Sequence, residues 1–207
     1  MRHLPTTSAP RPHRTVVRAT VALASVGVLA LSACGSDDDG GSSEPFATAD
    51  VRDADGNSVG DASFRDADGA SALTVDLKEL PPGMYGMHVH GIGTCDPDSH
   101  APDDPSETGD FLSSGGHMGS DGHDHPGHGG DLPALLVNGD GTAHMTVTTD
   151  RVTRDNLLDD DGSALIIHEK PDNYGNIPDR YAPDGPDKDT LKTGDAGGRQ
   201  ACGTFTD

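Results

Sequence analysis

The chain predicts an all-β domain, an antiparallel sandwich or barrel of roughly eight short strands. Three observations predict it. Apolar and polar residues alternate in short runs, Asp-Gly turns separate those runs, and helical periodicity is scarce.

The elements follow in order. FATADVR (46–52) is a strand, and DADGN turns it. SVGDASF (58–64) is the second strand, and the turn DADG (66–69) leads into the third, SALTVDL (71–77). A Pro-Pro-Gly break precedes the fourth, YGMHVHG (85–91). ALLVN (134–138), a Gly-Asp-Gly turn and AHMTVTT (143–149) make a hairpin. SALIIHE (163–169) and ACGTF (201–205) complete the set, and RDNLLDD (154–160) is the one helical turn. Aromatic residues are 3% of the chain and Trp is absent, so the core rests on Val, Leu, Ile, Ala and Met. Two long segments, 91–133 and 170–198, break the strand rhythm with Gly, Pro and Asp. Loops of that length in a compact domain are commonly functional.

The first 33 residues read as a leader. Arg2, Arg11, Arg14 and Arg18 precede an apolar run at 21–31, and no acidic residue interrupts them. Leu31-Ser32-Ala33-Cys34 looks like a bacterial lipobox, with cleavage before Cys34 and lipid attached to it. Residues 34–45 then form a polar, flexible tether, and 46–207 the folded domain. This places the domain outside the cytoplasm, lipid-anchored to the cell membrane or released from it. Without residues 1–33 the chain holds 10 basic and 35 acidic residues, a formal charge of −25 against −21 for the whole. Nucleic acid is excluded as a partner by that charge, and an anionic substrate needs a local positive patch. With Cys34 lipidated, Cys95 and Cys202 remain as an even pair in an oxidising compartment, and a disulfide is expected.

Histidine carries the chemistry. His88 and His90 are two apart on a strand and therefore share a face, close enough to share a metal ion. His168 ends a buried-type strand and adds a third fixed imidazole. GGHMGSDGHDHPGHGGD (115–131) holds His117, His123, His125 and His128 among flexible glycines and carboxylates. Three histidines and one aspartate suit tetrahedral zinc, and three or four imidazoles in a tetragonal array favour copper.

Five stretches, in this order, resemble those of bacterial copper/zinc superoxide dismutases in their extracytoplasmic lipoprotein form. They are GMHVHGIGTC, SSGGHMG, HGGDLPALLVNGDG, ALIIHEKPDN and KTGDAGGRQACG, within a match from about Phe46 to Phe205. Met87 stands where the family usually has an aromatic residue. The resemblance implies an eight-stranded antiparallel Greek-key sandwich or barrel with two long functional loops. It implies one copper per chain on His88, His90, His117 and His168. It implies one zinc on His117, His128, Asp131 and either His125 or His123, with His125 preferred. Asp172 would orient one copper and one zinc histidine, and Arg199 would receive the superoxide anion, with Lys192 widening the positive field. The implied activity is dismutation of superoxide to dioxygen and hydrogen peroxide, protecting the cell envelope. The alternative is a non-catalytic copper- and zinc-binding lipoprotein for metal storage or transfer. A monomer and a homodimer both remain open. His100 and the insert 96–110 around it receive no role.

Overall fold

A computed structural model describes residues 44–207. The leader, Cys34 and all but the end of the tether lie outside the described residues. Eleven strands follow in chain order: β1 (Ala47–Asp53), β2 (Ser58–Ala67), β3 (Ala70–Leu77), β4 (Gly83–Tyr85), β5 (Met87–His90), β6 (Ser99–His100), β7 (Thr108–Gly109), β8 (Leu135–Val137), β9 (Ala143–Thr149), β10 (Ala164–His168) and β11 (Arg199–Thr204). Two short helices, α1 (Arg154–Leu157) and α2 (Lys188–Thr193), join them.

The expected count of eight needs a correction. The strand expected at 85–91 is in two pieces, β4 and β5, interrupted at Gly86. A Cβ on Gly86 would lie 2.6 Å from Ala196 Cβ, so the chain bends against a neighbouring loop there. The pair β6–β7 inside the first long loop was not expected, nor was α2 inside the second. Apart from these, the eight expected strands are all present.

Seven strands form one antiparallel sheet in the order β5-β10-β11-β1-β2-β3-β9, and β4 pairs separately with β8. Since β4 runs into β5 and β8 turns into β9, the two edges of the large sheet curl toward each other. The connections from β3 to β4 and from β9 to β10 pass between non-adjacent strands, as in Greek-key folds. Strand β1 alternates buried and exposed residues and β3 buried and mostly half-buried ones, the mark of a sheet with one face on the core. Val51, Phe64, Leu73, Val75, Met87, Val89, Leu165 and Ile167 meet inside.

β5 and β10 are buried on both faces. Met87, Val89, Leu165 and Ile167 point inward, whereas Ala164 and Ile166 join a second cluster with Phe111 and Cys202 outside the barrel. His88 and His90 pair with Ile166 and Ala164 and share that outer face. The first long loop also covers the free edge of β5. Val89 N–H donates to Gly130 O (2.9 Å), and Met118 N–H donates to Val89 O (2.9 Å). Those bonds satisfy an edge that would otherwise invite pairing. Gly130 is required by that approach, because a Cβ there would sit 2.0 Å from Val89 O.

Candidate metal centre

The outer face of β5 and β10 is the floor of the site, and the two long loops are its walls. His88 and His90 rise from β5 and His168 from the end of β10. His117 comes from the first loop, bridged to His90 in ladder fashion. All four are buried, and one ring nitrogen of each lies within 4.8 Å of the others.

The hydrogen bonds fix which nitrogen faces inward. His90 Nδ1–H donates to Gly115 O (2.8 Å), and His168 Nδ1–H donates to Gly197 O (3.2 Å). His88 Nε2–H donates to Asp172 Oδ2 (2.7 Å). Their other nitrogens, His90 Nε2, His168 Nε2 and His88 Nδ1, are buried without a hydrogen-bond partner. An unpaired buried polar atom costs about 1–3 kcal/mol. Three such lone pairs converging on one point are what a metal ion satisfies. Burial also keeps His90 and His168 neutral by pushing both pKa values well down, and the Arg199 charge adds to the effect. Neutral imidazole is the ligand form.

A second group adjoins the first. His117 Nδ1 lies 2.7 Å from Asp131 Oδ1, His125 Nδ1 3.0 Å from the same oxygen, and His128 Nδ1 3.3 Å from both Asp131 Oδ2 and His117 Nδ1. Four ligands tetrahedrally around zinc at about 2.0–2.1 Å would stand about 3.3 Å apart. The two 3.3 Å separations match that spacing, while those of 2.7 and 3.0 Å are closer contacts to Asp131, so the groups stand near enough to gather round one small cation. His125 Nδ1 is buried and, although 3.0 Å from Asp131 Oδ1, makes no aligned hydrogen bond to it. His125 and His128 are buried, while His123 is exposed and contributes its backbone carbonyl to His128 Nε2 (3.2 Å). The ligand atoms of His88, His117, His125 and Asp131 all lie within 4.8 Å of one another, so His88 belongs to both clusters, and His128 joins through its contacts to Asp131 and His117.

Asp172 ties the clusters together. Its Oδ1 accepts from His125 Nε2–H (2.9 Å) and from Tyr174 N–H (2.7 Å), while Oδ2 accepts from His88. Gly194, at φ 62°, makes room for this bridge, since a Cβ would stand 2.1 Å from Asp172 Oδ1. Burial works against charge on Asp131 and Asp172, but the imidazoles beside them outweigh it and hold both carboxyls well below the usual range. His125 is the counterpart. Burial opposes its charge, yet Asp131 and Asp172 raise its pKa to about 9. His117 goes the other way, lowered by burial to about 4 despite Asp131.

Arg199 opens β11 directly opposite His168. Its guanidinium donates to Phe111 O (2.6 Å), Ser114 Oγ (2.8 Å) and Gly115 O (2.7 Å). Gly115 O thus holds both Arg199 and His90. Burial lowers the guanidinium pKa to about 10, with Glu107 and then Asp103 opposing the drop, so the group stays charged. The Cys95–Cys202 disulfide, spanning 107 residues, pins the loop that carries those acceptors to β11. His90, His117, His168 and Arg199 line one cavity of about 620 Å³.

Sequence reasoning missed the acceptors of Arg199, the glycine beside Asp172 and the Tyr174 ring stacked over His125. It also assigned nothing to 96–110, whose Asp103 and Glu107 line the cavity. None of these has a signal in residue type or spacing. His100 is exposed and belongs to neither cluster.

Two imidazole clusters sharing His88 and His117, on the outside of a curled antiparallel barrel, define a dinuclear metalloprotein. The family model for copper/zinc superoxide dismutase matches residues 58–205. The chain belongs to that family. It is 44% identical to the copper/zinc superoxide dismutase of Mycobacterium tuberculosis over 73% of this chain and 66% of that one. The chain thus spans slightly under two thirds of that relative's length. It is 30% identical to the Deinococcus radiodurans enzyme over 86% of this chain and 90% of that one. Among solved structures, the copper/zinc superoxide dismutase of Brucella abortus superposes with a TM-score of 0.58 at 28% identity, covering 76% of this chain and 98% of that one. A superoxide-dismutase-like protein from Bacillus subtilis gives 0.57 at 25%, covering 76% and 96%.

Proposed function

We propose that this protein dismutates superoxide, turning two superoxide anions and two protons into dioxygen and hydrogen peroxide. The observation that carries the reading is the set of converging, unpartnered imidazole nitrogens of His88, His90 and His168, the last two lining one cavity with a rigidly held arginine. In this reading His88, His90, His117 and His168 hold copper, and His117, His125, His128 and Asp131 hold zinc. When bound, copper supplies the one-electron couple that both half-reactions need, and zinc, which is redox-inert, supplies a fixed positive charge.

The protein's own groups do the rest. Arg199 spends three of its five N–H donors on loop acceptors, leaving two to take up an anion. His117 turns Nδ1 to Asp131, which leaves Nε2 for the copper side. From there Nε2 can hold a proton and hand it to the reduced anion, with solvent in the cavity supplying the second. Asp172 keeps the His88 and His125 rings in their ligating orientation. The Arg199→Ala variant tests the anion role. It should retain copper and lose about tenfold or more in rate constant at low ionic strength, where steering is strongest. An unchanged rate would reject that role.

The leader belongs to the same proposal. Residues 1–33 act as a lipoprotein signal, Cys34 takes the lipid, and 34–45 tether a domain that works outside the membrane and protects the envelope. The basic start, the apolar run and Leu-Ser-Ala-Cys support this. Cys34→Ser should move the protein from the detergent phase to the aqueous phase, and continued detergent partitioning would refute the lipid anchor.

A further inference from the structure

We infer that the ribbon 96–110 is an electrostatic brake on anion entry, with Asp103 and Glu107 slowing the approach to Arg199. The inference rests on the dismutase reading above. The ribbon is a built element. β6 pairs with β7, Ala101 N–H donates to Glu107 O (3.1 Å), and Asp104 Oδ1 accepts from Ser106 N–H (3.0 Å) and Ser106 Oγ–H (2.6 Å). Its root is held by the disulfide and by Ser113 N–H donating to Ser99 Oγ (3.0 Å). The backbone that carries Asp103 and Glu107 is therefore held in place.

Those positions face the site. Asp103 and Glu107 line the same cavity as His90, His117, His168 and Arg199. Asp103 reaches Lys192 on α2 (3.4 Å), across the mouth of the cavity. Lys192 is thereby paired rather than free to attract an anion. Three cations line the cavity (Lys170, Lys192 and Arg199) against five acids, three of which (Asp103, Glu107 and Asp110) come from the ribbon. The charges are mixed, and the ribbon's acids lower the local potential that an anion meets on its way to Arg199. Both side chains are exposed, so salt screens them and the effect belongs to low ionic strength.

The test uses the copper- and zinc-loaded full chain with Asp103→Asn, Glu107→Gln and the double variant. Asp61→Asn is the control: it removes the same charge from β2, outside this cavity. Each ribbon variant should raise the superoxide rate constant about two- to fivefold at low ionic strength, and the gain should vanish at high salt. Azide affinity, read from the copper absorption spectrum, should rise by a similar factor without any turnover being involved. The control should change neither. Ribbon variants equal to wild type in both readouts, a slower rate with full copper, or an equal gain from Asp61→Asn would each overturn the brake. A wild type that binds azide through copper yet dismutates nothing would refute the dismutase reading instead, while the azide comparison would still decide the brake.

Discussion

Asp172 has both carboxylate oxygens committed, one to His88 and one to His125. An asparagine there keeps the size but can accept from only one ring. Asp172→Asn should weaken copper and zinc binding by about 10–100-fold, as losses of groups that orient metal ligands commonly do. Chelator competition measures this, and unchanged affinity for both metals would contradict the bridging role. The histidines themselves were legible because a strand's two-residue period puts His88 and His90 on one face without further information. Asp172 and Arg199 were legible only through family resemblance. The groups that hold Arg199 were not legible at all, since two of its three acceptors are backbone carbonyls and every residue carries one.

At the scale of elements, the loop from β5 to β8 has three functions. It closes the β5 edge, delivers His117, His125, His128 and Asp131, and holds Arg199 through Phe111, Ser114 and Gly115. The disulfide at Cys95 anchors its start to β11. Cys95→Ser should therefore lower stability by up to roughly 4–5 kcal/mol, the chain-entropy value for so large a loop. It should also reduce the rate constant, because the acceptors of Arg199 loosen together. Thermal melting and the dismutation rate report the two effects, and a variant unchanged in both would deny the anchor its role. The long alternating strands were readable from sequence, β9 with its bounds intact. The β6–β7 ribbon and α2 were not. Strands of two residues are too short to show alternation, and a six-residue helix capped by Asp187 is too short to show a period.

At the scale of the molecule, the buried histidines couple stability to pH when no metal is bound. His90, His117 and His168 take up protons later in the fold than the ordinary imidazole value of 6.5. Their contribution is complete above pH 6.5 and is lost as pH falls, for His117 toward about 4. His125 has the opposite sign. Raised to about 9, it contributes fully below pH 6.5 and loses that contribution as pH rises through 9. The metal-free protein should melt highest near pH 6.5, with the steeper decline on the acid side, where three groups act together. Melting temperatures that stay flat from pH 4 to 9 would contradict the buried, neutral state of those rings. Zinc and copper should then raise the melting temperature, because both bind the folded cluster and no such cluster exists in the unfolded chain.

The central claim is that the paired clusters and Arg199 make a dismutase. Copper and zinc per chain, measured with superoxide dismutation on the dialysed protein, test it most directly. One tightly held copper and one zinc per chain, with activity that disappears when copper is chelated and returns on its restoration, is the predicted result. Full copper occupancy without dismutation would contradict the account and leave a metal-binding lipoprotein in its place.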